Sequence, residues 1–515
     1  MSSDEARAAG RGGIAVLGAK VFFLVVGFVQ QPLLRIAVGL GDFGGLAQAL
    51  VVANTVNNVV VASGTQGVSR VVSGAPGHEP EALRAALKVH VPIAIFVAVA
   101  MAVAAPIYAQ FERAQDVIPP LLVLAMVALL YGLYAPLIGY LNGTRRFGRQ
   151  AALDVTFATL RTLGLVGFGF AFATRGLSGT LGTTIGWVAA VACIVPLAAR
   201  STGLGRRLRR EDERPAGVPT SRAYIAILLP IAGAQLCTNA LLQIDIALLG
   251  RFLSQSAGAG LDGEAQRSAV KAWIAIYKEC QTFAFLPYQL LFSVTLILFP
   301  MLARARAEGD EAAVRAYVAR GARLSAIFAG LLVSVIVAMP ESMLAFAYGA
   351  ADAARGAEVL RTMALAQGIF TMLGIATTVL TSLGRERSAA TVTLGAVIAV
   401  AATCAALVPT SPFGHTQLVR SAQATAGALL VSLLVAGGMV RARAGAFVPI
   451  ATGARVSVAL ALSVAAGYVM PRVGRLATPG VALLVAASYG GLLILMREVG
   501  RADLAMVRTL RSKPS

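Results

Sequence analysis

The sequence predicts an all-α integral membrane protein of about fourteen transmembrane helices: two pseudo-symmetric six-helix bundles followed by two C-terminal helices. Three observations carry this. The 515 residues are 57% hydrophobic and 13% charged, with a mean hydropathy of +0.76, far above that of a soluble globular domain. Long windows lack Asp, Glu, Lys and Arg, among them Val89 to Phe111, Val117 to Gly143, Gly176 to Ala199, Ser388 to Val419 and Leu476 to Met496, and ~20 apolar residues suffice to span a bilayer. The basic residues, finally, alternate between loops as the positive-inside rule requires.

Hydrophobic runs between turn signals place the spans in order. The first six centre on Val25, Thr55, Ala98, Leu129, Leu163 and Val188. A basic stretch, RSTGLGRRLRREDERPAGVPTSR (Arg200 to Arg222), follows and reads as a solvated cytoplasmic connector near anionic headgroups. Eight more spans centre on Ala240, Phe285, Leu331, Phe370, Ile398, Leu430, Ser463 and Ala486. The expected division is a six-helix lobe over 1–200, a connector over 201–221, a second six-helix lobe over 222–440, and two extra helices with a basic tail over 441–515. An even count puts both termini on one side. With that side cytoplasmic, 30 of the 44 Lys and Arg fall inside, 10 outside and 4 within spans.

Composition excludes several functions. The net charge of +20 resides in short loops between spans, which explains it without nucleic acid. Cys193, Cys237, Cys280 and Cys404 lie in apolar segments with no CxxC spacing, so neither a disulfide framework nor a metal site is expected. His78, His90 and His415 are dispersed and there is no HExxH or phosphate loop, so no hydrolytic enzyme is predicted. No cofactor is expected, and a proton or sodium gradient, or product consumption outside, would supply energy. The first apolar segment is as long as a full span and reads as an uncleaved anchor.

Segments six spans apart echo one another. EALRAALK (Glu81 to Lys88) precedes the third span and EAAVRAYVAR (Glu311 to Arg320) the ninth, each leading into a helix expected to end at a proline, Pro106 or Pro340. LNGTRRFGRQ (Leu141 to Gln150) follows the fourth span and LGRERS (Leu383 to Ser388) the tenth. An even offset implies a parallel repeat, with substrate between rocking lobes.

Four cations, Lys20, Arg35, Arg161 and Lys278, lie inside apolar spans, where each costs at least ~2.5–3.5 kcal/mol at the bilayer centre. An anionic substrate would offset that cost. Lys20 lies ~10 Å from the cytoplasmic end of its helix and Arg161 ~16 Å, at 1.5 Å per residue. With Lys278 entering from the outer side they form a ladder suited to a diphosphate. Lys278 has a structural alternative, offsetting Glu279, and Lys20 another, snorkelling. Arg35, following Pro32, reads more as an interfacial anchor. Asp245 is either the partner of an arginine such as Arg35 or Arg251, or an ion-coupling site. Asp154 can reach water near the inner end of the fifth span. Asn54, Asn57 and Asn58 share one helical face suited to sugar hydroxyls. Gln30 and Gln31 before Pro32 mark an expected kink. Trp273, Tyr277 and Tyr288 could stack on sugars, Trp273 alternatively joining an interfacial belt.

The first helix, GGIAVLGAKVFFLVVGFVQQPLLRIAVGLGDFGGLAQAL (Gly12 to Leu50), the basic turn LNGTRRFGRQAALD (Leu141 to Asp154) and the six-plus-six-plus-two layout resemble the polysaccharide flippase branch of the multidrug/oligosaccharidyl-lipid/polysaccharide exporter superfamily. The resemblance implies two bundles opening alternately to cytoplasm and periplasm of a bacterial inner membrane. It further implies a non-enzymatic secondary carrier, a monomer, flipping an undecaprenyl-diphosphate-linked oligosaccharide or O-antigen unit. Glycosyltransferases and a polymerase would be its partners. The alternatives are a peptidoglycan lipid-precursor flippase, whose branch lines the first helix with arginines at other spacings, and a drug exporter of the same fold, which would favour cavity carboxylates. A membrane glycan ligase or polymerase would need a large outer loop, and the outer loops here are short.

Overall fold

A computed structural model describes residues 3–203, 218–257 and 263–500, and the side chains of these except 3–17, 290–297 and 299–300. All regular structure among them is helical. Twelve of the described helices are long and apolar enough to cross a membrane, and the first of these runs for 56 residues, Gly18–Ser73, about 84 Å at 1.5 Å per residue, enough for two crossings. The chain divides into two compact units, residues 1–275 and 276–515. The sequence-derived connector over 201–221 lies earlier than this division, and its residues 204–217 fall outside the described residues.

In the first unit, α1 (Ser3–Ser73) carries the first two spans. Its break comes at Gly39, with φ 81° and ψ 172°, a backbone region that L-residues avoid. The kink expected at Pro32 is therefore displaced by two turns, because the helix passes through the proline. Just beyond the break, Asp42 accepts from the Gly179 and Thr180 amides at 2.9 and 3.2 Å and from Thr180 Oγ1 at 2.8 Å. A carboxylate at the N-terminus of α5 (Gly179–Thr202) satisfies otherwise orphaned N–H groups.

Between these lie α2 (Glu79–Glu112), α3 (Ile118–Gly143) and α4 (Phe147–Ala173). Helix α2 does not end at Pro106 as expected. It continues six residues further with Pro92 and Pro106 inside, as membrane helices tolerate where neighbours satisfy the freed groups. Helices α4 and α5 cross at backbone contact: a Cβ on Gly164 would lie 2.4 Å from the Gly186 carbonyl oxygen, and one on Gly186 2.0 Å from that of Gly164. The unit is completed by α6 (Ser221–Ser256), capped by Thr220, whose hydroxyl accepts from the Ala223 amide at 3.1 Å. The division between units falls within α7 (Gly263–Ala284).

In the second unit, the eighth span is not continuous. Helix α7 stops and α8 (Leu286–Ala307) restarts across Phe285, because Pro287 in its first turn has no amide to donate. Then come α9 (Glu311–Ala338), a short α10 (Pro340–Ala347), α11 (Ala350–Ser382), α12 (Glu386–Leu407), α13 (His415–Ala444), α14 (Ile450–Val469) and α15 (Thr478–Leu495).

The echoed turns share a backbone pattern. After α3, Arg145 adopts φ 56° and its amide donates to Asn142 O, while that of Arg146 donates to Leu141 O. After α11, Gly384 adopts φ 67° with bonds to Thr381 O and, from Arg385, to Leu380 O. Both helix ends are thus closed by the same left-handed cap.

The last two helices dock on α9. Glu498, 2% exposed at its side chain, accepts from Arg323 Nε at 2.8 Å, Arg455 Nη1 at 2.7 Å and Thr452 Oγ1 at 2.7 Å. Tyr489 donates to Ile327 O at 3.2 Å. At the other end Arg361 donates to Val337 O and Gly467 O and stacks 4.0 Å over the Tyr468 ring. Burial pushes the Glu498 carboxyl up, but the bonds from Thr452, Arg455 and Arg323 and the Arg323 charge outweigh it and leave it below its ordinary 4.5.

Candidate functional site

The first unit gathers polar groups along the seam between α1 and α4. Lys20, Phe23, Gly27 and Gln30 recur at steps of three and four, so they share one face of α1. Opposite stand Asp154, Arg161 and Thr162 of α4. Lys20 Nζ lies 3.3 Å from Asp154 Oδ2, the lysine side chain 57% exposed and the aspartate 11%. Asp154 is therefore held in an ion pair, away from the solvated role expected of it. One to two turns deeper, the Arg161 guanidinium sits 4.9 Å from the Phe23 centroid and 5.9 Å from that of Trp187. Gly27 leaves room for it, since a Cβ there would be 3.9 Å from Nη2. Trp187 Nε1 donates to the Tyr131 hydroxyl at 3.0 Å, which also neighbours Arg161. Thr162 Oγ1 donates to Gln30 Oε1 at 3.0 Å.

Two features of this cluster point to a ligand. Among the described residues Arg161 has no carboxylate partner, and its Nε is buried without an acceptor. It is also hydrogen-bonded to the Tyr131 hydroxyl and faces two aromatic rings, neither of which neutralises its charge. The buried Tyr134 hydroxyl, in a ring packed 5.7 Å from Phe157, also lacks a partner. Native interiors seldom leave such groups unpaired.

The three asparagines separate. Asn58 donates to Asn239 Oδ1 of α6 at 2.8 Å. Asn57 is buried, and neither its Oδ1 nor its Nδ2 has a partner. It lies on the side of α1 where Val60 and Gly64 meet Gly132 and Ala135 of α3. Asn54 is half-buried, as is Arg35. Asp245 of α6 is buried, and its Oδ1 accepts from the Ile246 amide at 2.8 Å.

In the second unit, Lys278 Nζ donates to Gln281 Oε1 at 3.2 Å. Tyr277 is fully buried, its hydroxyl 3.5 Å from Ser421 Oγ, and so is not placed to stack on a sugar. Tyr288 packs 5.1 Å from the Phe370 ring.

Sequence reasoning missed Glu112. Ending α2 at Pro106 put this residue in an outer loop, whereas the carboxylate is 1% exposed at the helix end. Gln48 Nε2 donates to its Oε2 at 3.3 Å and Tyr108 Oη to its Oε1 at 3.2 Å. The signal available was Tyr108 four residues earlier, one helical turn away on the same face.

The helix order and this polar seam can be set beside known proteins. Residues 38–257 match the family model described as polysaccharide biosynthesis protein. That match covers 220 of the 515 residues. Its fold is similar to that of the lipid II flippase MurJ in an inward closed conformation, at TM-score 0.72 and 12% identity over 94% of this chain and 99% of that one. It is also similar to a multidrug resistance MATE transporter in an inward-facing conformation, at 0.61 and 13%, covering 83% and 98%. A third is a transporter of the MOP superfamily from Pyrococcus furiosus with a binding pocket of reverse polarity, at 0.59 and 13%, covering 85% and 95%. No curated protein is similar in sequence. At these identities the structural likenesses speak for fold. With twelve described helices long and apolar enough to cross a membrane, the chain is a multi-pass membrane protein.

Proposed function

We propose that the protein is a carrier that moves a lipid-linked oligosaccharide, joined through a diphosphate to undecaprenol, from the cytoplasmic to the periplasmic leaflet of a bacterial inner membrane. Both termini would lie in the cytoplasm, the carrier would act without enzymatic chemistry, and glycosyltransferases and a polymerase would supply and consume its cargo. The observation that carries this reading is Arg161: a guanidinium held by Phe23 and Trp187, with Nε unpartnered and no carboxylate to neutralise it. Such a group suits an anionic head, which it can meet with two N–H donors. Lys20, exposed and paired with Asp154 at 3.3 Å on the same seam, would receive the diphosphate first. Asn57, with both amide atoms unspent, suits sugar hydroxyls. Lys278 and Arg35 complete the proposed path of cation contacts, and Asp245 is an ion-coupling candidate. Three protein features support the polysaccharide cargo: the family match over 38–257, the basic seam, and the absence of an unpaired acid in it among the described residues.

A peptidoglycan lipid precursor is the second reading, favoured by the likeness to the MurJ fold. One experiment separates the two. In a strain lacking this chain, wild-type protein should restore surface glycan, and variants Lys20→Ala and Arg161→Ala should not, with protein level and insertion unchanged. Normal glycan in both variants would sink the reading. Rescue of a strain depleted of its lipid II flippase, without effect on surface glycan, would move the assignment to the second.

A further inference from the structure

We propose that Glu112 is a proton-exchanging carboxyl whose charge state is read by α6, and that it couples an inward proton gradient to the transport reading above. A carboxylate 1% exposed at the end of a membrane helix must be neutralised or fully hydrogen-bonded. Both side chains that touch it can serve either form. Gln48 donates Nε2 to Oε2 at 3.3 Å, and its own Oε1 is buried without a partner. Turning the amide over presents that oxygen to a carboxylic O–H at the same distance. Tyr108 Oη lies 3.2 Å from Glu112 Oε1 and 3.2 Å from the Gln48 carbonyl oxygen. One hydroxyl proton can serve one acceptor at a time, so it turns to the carboxylate when Glu112 is ionised and to the backbone when Glu112 carries its own proton. A carboxyl whose partners are reversible in this way gains or loses a proton without stranding a buried group.

Glu112 also touches α6. The carboxylate lies against Gly250, where an added Cβ would fall 2.1 Å from Oε2 and 2.9 Å from Cδ. Only glycine admits this approach. Next to it Arg251 donates from Nη1 to the Phe111 carbonyl at 2.9 Å and stacks 4.5 Å over the Phe111 ring. The charged and titratable groups around Glu112 are Tyr108 and Arg113 on its own helix, Arg251 on α6 with Asp245 lower on that helix, and, beyond the 3₁₀ turn Gln115–Val117, the ion pair of Asp116 with Lys271, whose backbone covers Gly44 one turn from Gln48. Ionised, Glu112 attracts Arg251 and seats α6 against α2. Protonated, it loses that attraction while keeping its hydrogen bonds, and the outer end of α6 is freed to move. The other end of the same seam is closed independently by His90 Nε2 and the Tyr224 hydroxyl at 2.6 Å. The proton would come from outer water, bind one carboxylate oxygen, and be released to cytoplasmic water when α6 returns, so that each cycle carries one proton inward.

Infrared difference spectra between acidic and alkaline buffer, recorded on full-length protein in phosphatidylethanolamine/phosphatidylglycerol liposomes, test this without any cargo. Wild type should show a buried carboxylic C=O band that appears on acidification. Glu112→Gln should lose that band, and Glu112→Asp should retain one that titrates at a different pH. Replacing potassium by sodium should leave the wild-type band in place. An unchanged band in Glu112→Gln, or its loss on adding sodium, overturns the proposal. Glycan flipping in the same liposomes then separates the two readings. A band lost in Glu112→Gln with no glycan moved by wild type would refute the cargo and leave the proton site standing. Glycan flipping with the same pH dependence in wild type and Glu112→Gln would refute the coupling alone.

Discussion

Two clusters in this molecule are built around arginine and differ in how completely they are satisfied. In the second unit, Glu498 takes donors from Arg323, Arg455 and Thr452, and the network joins α9, α14 and the segment after α15. In the first, Arg161 rests on Phe23 and Trp187 with Nε unspent, near a partnerless Tyr134 hydroxyl. A saturated network specifies one arrangement and leaves nothing to offer a ligand. An unsaturated one carries a standing cost, which persists only where something transient repays it.

Breaking the saturated cluster should give the largest effect on stability. Glu498→Ala would remove the carboxylate that neutralises two partly desolvated guanidiniums, and loss of one partner of a buried pair costs about 3–5 kcal/mol. The guanidiniums are 24% and 37% exposed, which places the expectation at the lower end, read as denaturant or thermal unfolding in detergent. The pH dependence follows in sign. Because the folded carboxyl titrates below 4.5, its contribution is fully present above that pH and is lost as pH falls through the folded value. Wild type should therefore converge on Glu498→Gln in strong acid and exceed it at neutral pH. Equal stability at neutral pH would mean the network is not holding the last two helices.

The unsaturated cluster should respond in the opposite sense. Arg161→Ala is expected to leave unfolding within about 1 kcal/mol of wild type, because no carboxylate is orphaned. Removing a charge-assisted contact worth about 1.5–3 kcal/mol should slow glycan flipping roughly 10- to 100-fold. Arg161→Lys should recover little, since an ammonium cannot reproduce a planar fork between aromatic faces. A variant that loses stability and transport together would make Arg161 a structural residue like Arg323.

The difference between the clusters was only partly legible in the sequence. Charge-free windows located the spans because the bilayer enforces one signal, some twenty apolar residues. They also exposed Lys20, Arg161 and Asp245 as exceptions. Pairing was hidden, because Lys20 and Asp154 are 134 positions apart and meet only through helix packing. Prolines misled twice. Pro32 and Pro106 read as a kink and a helix end, yet both are absorbed within helices, and the break falls at Gly39, where positive φ is needed. The misplaced end of α2 is what concealed Glu112. Glu498 was equally invisible, since a residue past the last span looks solvated until its partners on α9 and α14 are known.

Asn57 sharpens the comparison on a smaller scale. Two buried polar atoms without partners cost about 1–3 kcal/mol when desolvated, so replacement by an apolar side chain of similar volume should be favourable. Asn57→Leu is expected to raise the unfolding free energy by about 1 kcal/mol while reducing flipping several-fold. Lower stability with intact transport would show the amide to be structural.

The smallest effect concerns the repeated basic turn, where one copy uses glycine and the other does not. Gly384 takes φ 67° freely, but Arg145 takes φ 56° with a Cβ, at a cost of about 1 kcal/mol for an L-residue in that region. Arg145→Gly relieves this strain, although the unfolded chain gains entropy that offsets part of it. A net gain of about 0.5 kcal/mol is expected. Gly384→Arg should lose a similar amount, and in addition its Cβ would approach Arg306 Nη2 at 3.8 Å, adding a second cation beside an existing one. If Arg145→Gly stabilises the fold yet weakens glycan assembly, the arginine is kept for its charge at the membrane surface, and the turn's strain is a functional cost like that of Arg161. If both improve, the arginine serves neither fold nor transport, and the repeat is a matter of backbone alone.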